Sequence, residues 1–490
     1  MNKNILLIYP PKRFTDSTRI MYDKDITLAL LYLGGGARSA GANVKFFDMG
    51  LPENSQEKLD GILEDFQPSA VGINCLFSAV FPSVRILAQR IKNVSPKTKI
   101  ATGGMHPTMF GTDIMRNCPE IDAICIGEGD LTFPRLLRYW WGELNSDDLD
   151  GVIIRVTDKV TEYPKKCYIT DLDGLPMPAY DLLQMDNYRT DVKGWYNPDR
   201  LKINEVVMPI LTSRSCPNAC NFCSMRLVMG QKLRMRNPAS VFNEIKFLHN
   251  TYGINYFKIQ DDNFTFNNER ALSVCQRIIN SGLKVYFDFT NGLMIRTLDS
   301  ELIKTMRKAG LLRASLAVES GSDYIRNTIM RKNVSKEKIS EVFHICGEEG
   351  IIRTIVLLTG MPEETRRTMQ ETLEFVDILS PDFYSHSLLK PYPGTVLFEQ
   401  CKRDGLFTNE MQNLDNLWTG EFFKTELDTE HQQIFVKPYS MSIDELRTEF
   451  LRLDSFLKFK CSTWLNRVKE NEKNTISSVY TRERNLLPIL

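Results

Sequence analysis

Cys216, Cys220 and Cys223 are the residues of this sequence best suited to chemistry. They stand in Ser213-Arg-Ser-Cys-Pro-Asn-Ala-Cys-Asn-Phe-Cys223, a Cys-x3-Cys-x2-Cys spacing. Thiolates are soft ligands for zinc and for iron–sulfur clusters. Three of them can hold three irons of a cubane and leave the fourth iron open. A closed structural zinc site normally asks for a fourth ligand nearby. The nearest downstream candidates, His249 and Cys275, fall on helical stretches well away in sequence. A cluster is the expectation, with structural zinc or unligated thiols as alternatives.

The elements that must position these thiols alternate along the chain. In residues 1–145, strand-like runs at Asn4–Tyr9, Val44–Phe47, Ala70–Cys75, Lys99–Thr102 and Asp122–Ile126 are separated by helical patterns such as Ser55–Phe66 and Pro82–Val94. Such alternation predicts a parallel sheet covered on both faces, in a doubly wound, flavodoxin-like (Rossmann-like) α/β domain. Residues 146–205 read as a long, partly ordered linker, with turn chemistry at Asp171–Pro178 and an irregular patch at Gly194–Pro198. From 206 to 400 six larger units follow, with strands at Met208–Ser213, Asn255–Gln260, Lys284–Phe289, Leu312–Val318, Arg353–Thr359 and Asp382–Leu389. They predict a partial (β/α)6 barrel whose ligands lie at the C-terminal strand ends. Helices and a charged end, Arg467–Arg484, make up residues 401–490.

The cysteine spacing, with an aromatic residue before the last cysteine, resembles the radical S-adenosylmethionine superfamily. The resemblance implies a 4Fe–4S cluster on Cys216, Cys220 and Cys223 whose open iron chelates S-adenosylmethionine, with Phe222 beside the adenine. Further stretches fall at the ends of the expected strands. Gln260-Asp-Asp-Asn-Phe-Thr265 implies Asp261 and Asp262 near the amino group of S-adenosylmethionine, and Glu319-Ser-Gly-Ser322 implies Glu319 and Ser320 near its ribose. Thr359-Gly-Met-Pro-Glu-Glu-Thr365 is similar to a Gly-Leu-Pro-Gly-Glu-Thr form, with Glu363 where the family usually has glycine. Lys390-Pro-Tyr-Pro-Gly-Thr395 follows the last strand.

The first domain resembles the cobalamin-binding module of many such enzymes. Tyr9-Pro-Pro11, Cys75-Leu-Phe-Ser78, Thr102-Gly-Gly-Met-His-Pro-Thr108 and Ile126-Gly-Glu-Gly129 all follow expected strands. The resemblance implies cobalamin contacts from Ser78, Gly103, Gly104, His106, Gly127 and Glu128. Where isomerase-type modules carry a cobalt-ligating histidine, this chain has Asp48-Met-Gly-Leu-Pro52. His106 is therefore expected to make a polar or loop-stabilising contact rather than to ligate cobalt. The pairing resembles class B radical methyltransferases and implies methylation of a small-molecule substrate, with an electron donor such as flavodoxin or ferredoxin. Oxidative cyclisation or rearrangement by the same architecture is the alternative. A methylthiotransferase-like second cluster on Cys75, Cys118 and Cys125 is a lesser one.

Composition narrows the class. Lys plus Arg equals Asp plus Glu at 61 each, so no global field draws nucleic acid or an anionic membrane. The basic run Lys232–Arg236 reads as a solvated loop. No apolar run approaches the ~20 residues of a membrane span, and the N-terminus lacks the regions of a secretory signal. The expected location is the cytoplasm.

Overall fold

The computed structural model describes residues 2–12, 26–157, 159–190, 205–289, 291–408, 411, 413–421 and 432–476. The Gly194–Pro198 patch and the charged end past 476 lie outside them.

Five parallel strands open the chain: β1 (Asn4–Tyr9), β2 (Asn43–Asp48), β3 (Ala70–Asn74), β4 (Lys99–Gly103) and β5 (Ala123–Cys125). Their spatial order, β2-β1-β3-β4-β5, is that of a doubly wound sheet, with ligands expected where the order reverses. β3 is buried along its whole length, as a central parallel strand should be. The helix Phe81–Val94 turns Val84, Leu87, Ala88 and Ile91 into the core, the face its periodicity marks.

The 146–205 stretch, read from sequence as a linker, adds more than turns. A hairpin of β6 (Val152–Val156) and β7 (Lys159–Tyr163) extends the first sheet antiparallel to β5. Its strands are five residues each and β7 has no buried position, so neither produces a long apolar run. β8 (Arg189–Thr190) then forms the antiparallel edge of the second sheet.

That second sheet contains β9 (Glu205–Ile210), β12 (Tyr256–Ile259), β13 (Tyr286–Phe289), β14 (Leu311–Glu319), β15 (Ile352–Thr359) and β16 (Phe383–Leu388), all parallel. β8 and β16 are its two edges, so the barrel is open. The first of these strands ends at Ile210, not Ser213. Ser213–Arg214 instead forms β10, which pairs antiparallel with β11 (Arg234–Met235). The ribbon forms because Asp261 pulls Thr212 and Ser213 out of the strand direction, accepting from both hydroxyls and from the Thr212 amide.

The two sheets share packing. One core joins Leu6, Ile8 and Val71 of the first sheet to Met361, Leu389 and Leu397 beyond the second. The helix Ile443–Ile476 closes the barrel's outer side, with Leu446 and Phe450 against Met369 and Leu388. No helix among the described residues is long and apolar enough to cross a membrane.

Candidate active site

The cysteine loop runs between β10 and β11, at the C-terminal end of β9. Ser215 holds left-handed backbone (φ 70°) just before Cys216, its amide donating to Asp262 at 3.0 Å. The Cys223 amide closes a turn on the Cys220 carbonyl. The three thiols are half-buried and free of disulfides. Burial pushes the Cys223 thiol up to about 11, and that of Cys220 up as well. Binding to iron would offset that, because a metal draws the proton off its thiol.

Among the described residues no group of three Cys, His, Asp or Glu side chains could hold a single ion. A cubane makes a different demand, one thiolate at each of three separate corners. The surroundings fit that demand. Asn263 donates to Cys216 Sγ at 3.5 Å and is itself almost wholly buried, with its amide oxygen left without a partner. An N–H aimed at a ligating sulfur is a known lever on cluster potential.

The residues expected near S-adenosylmethionine divide into two kinds. Asp261 and Ser320 are buried in internal bonds, Asp261 to Thr212 and Ser213, and Ser320 to Thr372 and the Ser322 amide. Both therefore shape strand ends. Asp262 and Glu319 face the cysteines more directly. Burial and neighbouring Asp261 push the Asp262 carboxyl up to about 6. Glu319 takes left-handed backbone (φ 64°) at the end of β14 and pairs with Lys332 at 2.9 Å, beside Cys220. Phe222 packs, half-buried, against the shared core. Glu363 avoids left-handed backbone, so no glycine is needed there, and Gln400 donates to it at 2.7 Å.

At the ligand end of the first sheet, Leu76 and Phe77 are 44% and 59% exposed, leaving an apolar ledge after β3. A corrin macrocycle could lie on such a ledge. Gly103 and Gly104 serve the fold first. Gly104 has φ 119°, and a Cβ there would sit 2.4 Å from the Cys75 carbonyl oxygen.

His106 is fully buried and shares hydrogen bonds with Ser78 Oγ (2.9 Å) and the Trp418 carbonyl (2.8 Å). It lies between Phe81 and Phe110, and burial pushes its imidazole down to about 4. Both ring nitrogens and the Ser78 hydroxyl are thus used within the protein, so the expectation that these side chains contact cobalamin is corrected to a structural role. Asp48 also turns inward, accepting from the Gly50 amide and Tyr188. Among the described residues of the first sheet no imidazole is then placed for cobalt. In the Co(II) state, paramagnetic resonance of bound cobalamin should show no nitrogen hyperfine splitting from the protein. Strong splitting of that kind would refute the assignment.

Glu128 needs the clearest correction. Its side chain has no exposure, and its oxygens take Arg234 at 2.7 Å, Arg214 at 3.2 Å and the Ile169 amide at 3.1 Å. It is not available to a ligand. Arg234 and Arg236, expected in a solvated basic loop, are nearly buried in ion pairs with Glu128 and Glu244. Cys75 and Cys118 belong to one core and Cys125 to the core on the other side of the first sheet. The three do not face one another as cluster ligands would.

The two ligand ends meet. Gly127, after β5, lies so close to the helix Met225–Met229 that a Cβ would stand 2.9 Å from the Val228 carbonyl oxygen. Ser224, directly after Cys223, donates to Met105 Sδ at 3.4 Å. Sequence reasoning gave no role to Asn263, Lys332, Arg214 or Trp418, and it placed Arg234 in a solvated loop. Asn263 lay inside the quoted 260–265 stretch. The roles of the others carry no local pattern, because Glu319, Glu128 and His106, which they meet, are 13 to 312 residues away.

Comparison with known proteins agrees with this geometry. Residues 210–376 match the radical SAM superfamily and residues 24–137 the B12 binding domain. An uncharacterized methyltransferase of Pyrococcus horikoshii is 31% identical over 405 residues, covering 82% of this chain and 84% of that protein. The cytidylyl-2-hydroxyethylphosphonate methyltransferase of Streptomyces wedmorensis is 26% identical over 75% of each chain. An anaerobic magnesium-protoporphyrin IX monomethyl ester cyclase of Cereibacter sphaeroides is 27% identical over 76% of this chain and 59% of its own. Among solved structures, the radical S-adenosylmethionine methyltransferase TsrM of Kitasatospora setae, with cobalamin and a 4Fe–4S cluster bound, superposes with a TM-score of 0.68. It covers 94% of this chain and 89% of its own at 16% identity.

Proposed function

The chain belongs to the radical S-adenosylmethionine enzymes that carry a B12-binding domain, and from that premise we propose that it methylates an unactivated carbon of a small molecule. The observation that carries this reading is the meeting of Gly127 with Val228 and of Ser224 with Met105, which puts the ligand ends of both sheets against one loop. When bound, S-adenosylmethionine at the cluster supplies an oxidising carbon radical and cobalamin supplies a transferable methyl group.

The chain's own residues bind and orient. Cys216, Cys220 and Cys223 hold the cluster, and Asn263 bonds to the first of these thiolates. Phe222 borders the adenine side. Asp262 presents charge toward the amino group of S-adenosylmethionine, and Glu319, paired with Lys332, stands on its ribose side. Leu76 and Phe77 cover the macrocycle, and the backbone at Gly103 and Gly104 lies close to the nucleotide tail. A flavodoxin or ferredoxin supplies the electron, in the cytoplasm.

The test follows the fate of S-adenosylmethionine. With substrate, reductant and cobalamin present, 5′-deoxyadenosine and S-adenosylhomocysteine should form together near one to one, and labelled methyl should enter the product. Deoxyadenosine without matching S-adenosylhomocysteine, and product without label, would replace methylation by cyclisation or rearrangement. The cyclase relative makes that the second reading.

A further inference from the structure

Arg214 and Arg234 are direct cross-strand partners on the β10–β11 ribbon, whose two strands enclose the whole cysteine loop. Like charges facing one another across two strands destabilise the pair. Both guanidiniums are also nearly buried, so water screens their repulsion poorly. Within the enclosed loop only the main-chain carbonyls of Met229 and Lys232 accept from Arg234, and neither carries a full charge. Relief comes from the other sheet. The Glu128 carboxylate accepts from both arginines, and Asp130 adds a two-pronged pair to Arg214, at 2.8 Å on each oxygen. These two acids are the direct ion-pair partners of the two bases in a site nearly closed to solvent, with Asp262 of the second sheet and Lys165 of the first adding charge around it. Tyr32 covers the face of Arg214 and Tyr168 that of Arg234. The neighbouring Gly127 meets the post-cysteine helix at Val228, so main chain and side chain of one loop grip the cysteine loop together.

We propose that Glu128 is a positioning residue, the shared counter-ion that closes the cysteine loop only when the cobalamin-binding sheet is docked, so that the cluster and cobalamin are assembled at one fixed separation. It touches neither cofactor and acts through Arg214 and Arg234. The device gives each cofactor domain a stake in the other. A cysteine loop away from its partner sheet would lose the counter-ions of two facing arginines, which would turn to solvent and let the ribbon open. The inference rests on the cobalamin reading above.

The test compares the full-length protein with Glu128→Gln, which keeps the shape and removes the charge, and with Arg234→Lys, which keeps the charge and removes the fork. Three readouts are taken on anaerobically reconstituted protein: iron and cobalamin content, the magnetic interaction between reduced cluster and Co(II), and amide hydrogen exchange over residues 214–235. The expected result in Glu128→Gln is exchange roughly a hundredfold faster across 214–235, as loss of one partner of a buried ion pair implies. A weakened or broadened cluster–cobalt interaction should accompany it in molecules that retain both cofactors. Arg234→Lys should lie between this variant and wild type. If a variant does not accumulate folded, wild type alone still decides: adding hydroxocobalamin should slow exchange at 214–235, across the sheet boundary. Unchanged exchange and an unchanged magnetic interaction in both variants would overturn the inference, as would cobalamin-insensitive exchange in wild type. Failure of wild type to bind cobalamin at all would instead overturn the reading beneath it.

Discussion

Replacing any one of Cys216, Cys220 and Cys223 by alanine removes most of the bound iron and all cleavage of S-adenosylmethionine. Each thiolate serves a separate iron, so two remaining ligands leave a second iron open and the cluster is lost to solvent thiols or oxygen. Iron and sulfide assays on anaerobically purified protein, with chromatography for 5′-deoxyadenosine, read the effect. Cys275→Ala and Cys401→Ala are the controls. Both thiols are buried in apolar cores, and burial pushes each up to about 12, so they pack as small apolar groups. Wild-type iron and deoxyadenosine in all three triad variants would end the cluster assignment.

Gly104→Ala should destabilise the protein by about 3 kcal/mol, from left-handed backbone strain added to a clash that cannot relax. The new Cβ would meet the Cys75 carbonyl oxygen at 2.4 Å, its carbon at 2.7 Å and the Leu76 amide nitrogen at 3.0 Å. All three are main-chain atoms at the end of a buried central strand, and they cannot rotate aside. Gly103→Ala supplies the contrast. Its Cβ would lie 3.3 Å from Cys125 and its backbone is not left-handed, so about 1 kcal/mol is expected. Thermal melts of the two variants check this, and retention of cobalamin should fall with Gly104→Ala because the β3 ledge moves. Equal stability of the two variants would show that the strand end yields and that the glycine is not required by the fold.

Much of the architecture was legible in the chain because it is local. Apolar runs bounded by turn residues mark strands whatever surrounds them, which is why the five parallel strands of the first sheet and the six of the second were visible. The cysteine triad was legible for the same reason, since its three ligands lie within eight residues. The hairpin Val152–Tyr163 was not. Its strands are short and half-polar, and they exist because β5 offers an unpaired edge.

Side-chain roles divided along the same line. Sequence could place Glu128, His106 and Ser78 at strand ends, where ligands bind, but strand-end placement does not say which way a side chain points. Only tertiary structure brought Arg214 and Arg234 to Glu128 and Trp418 to His106, and a buried charge or imidazole must take the partner it meets. The chain by itself determined the type of enzyme, because cluster spacing and sheet alternation are written in neighbouring residues. The three-dimensional fold decided which polar groups remain available to cofactors and which lock the two sheets together, because hydrogen bonds and ion pairs in a dry interior are settled by proximity in space.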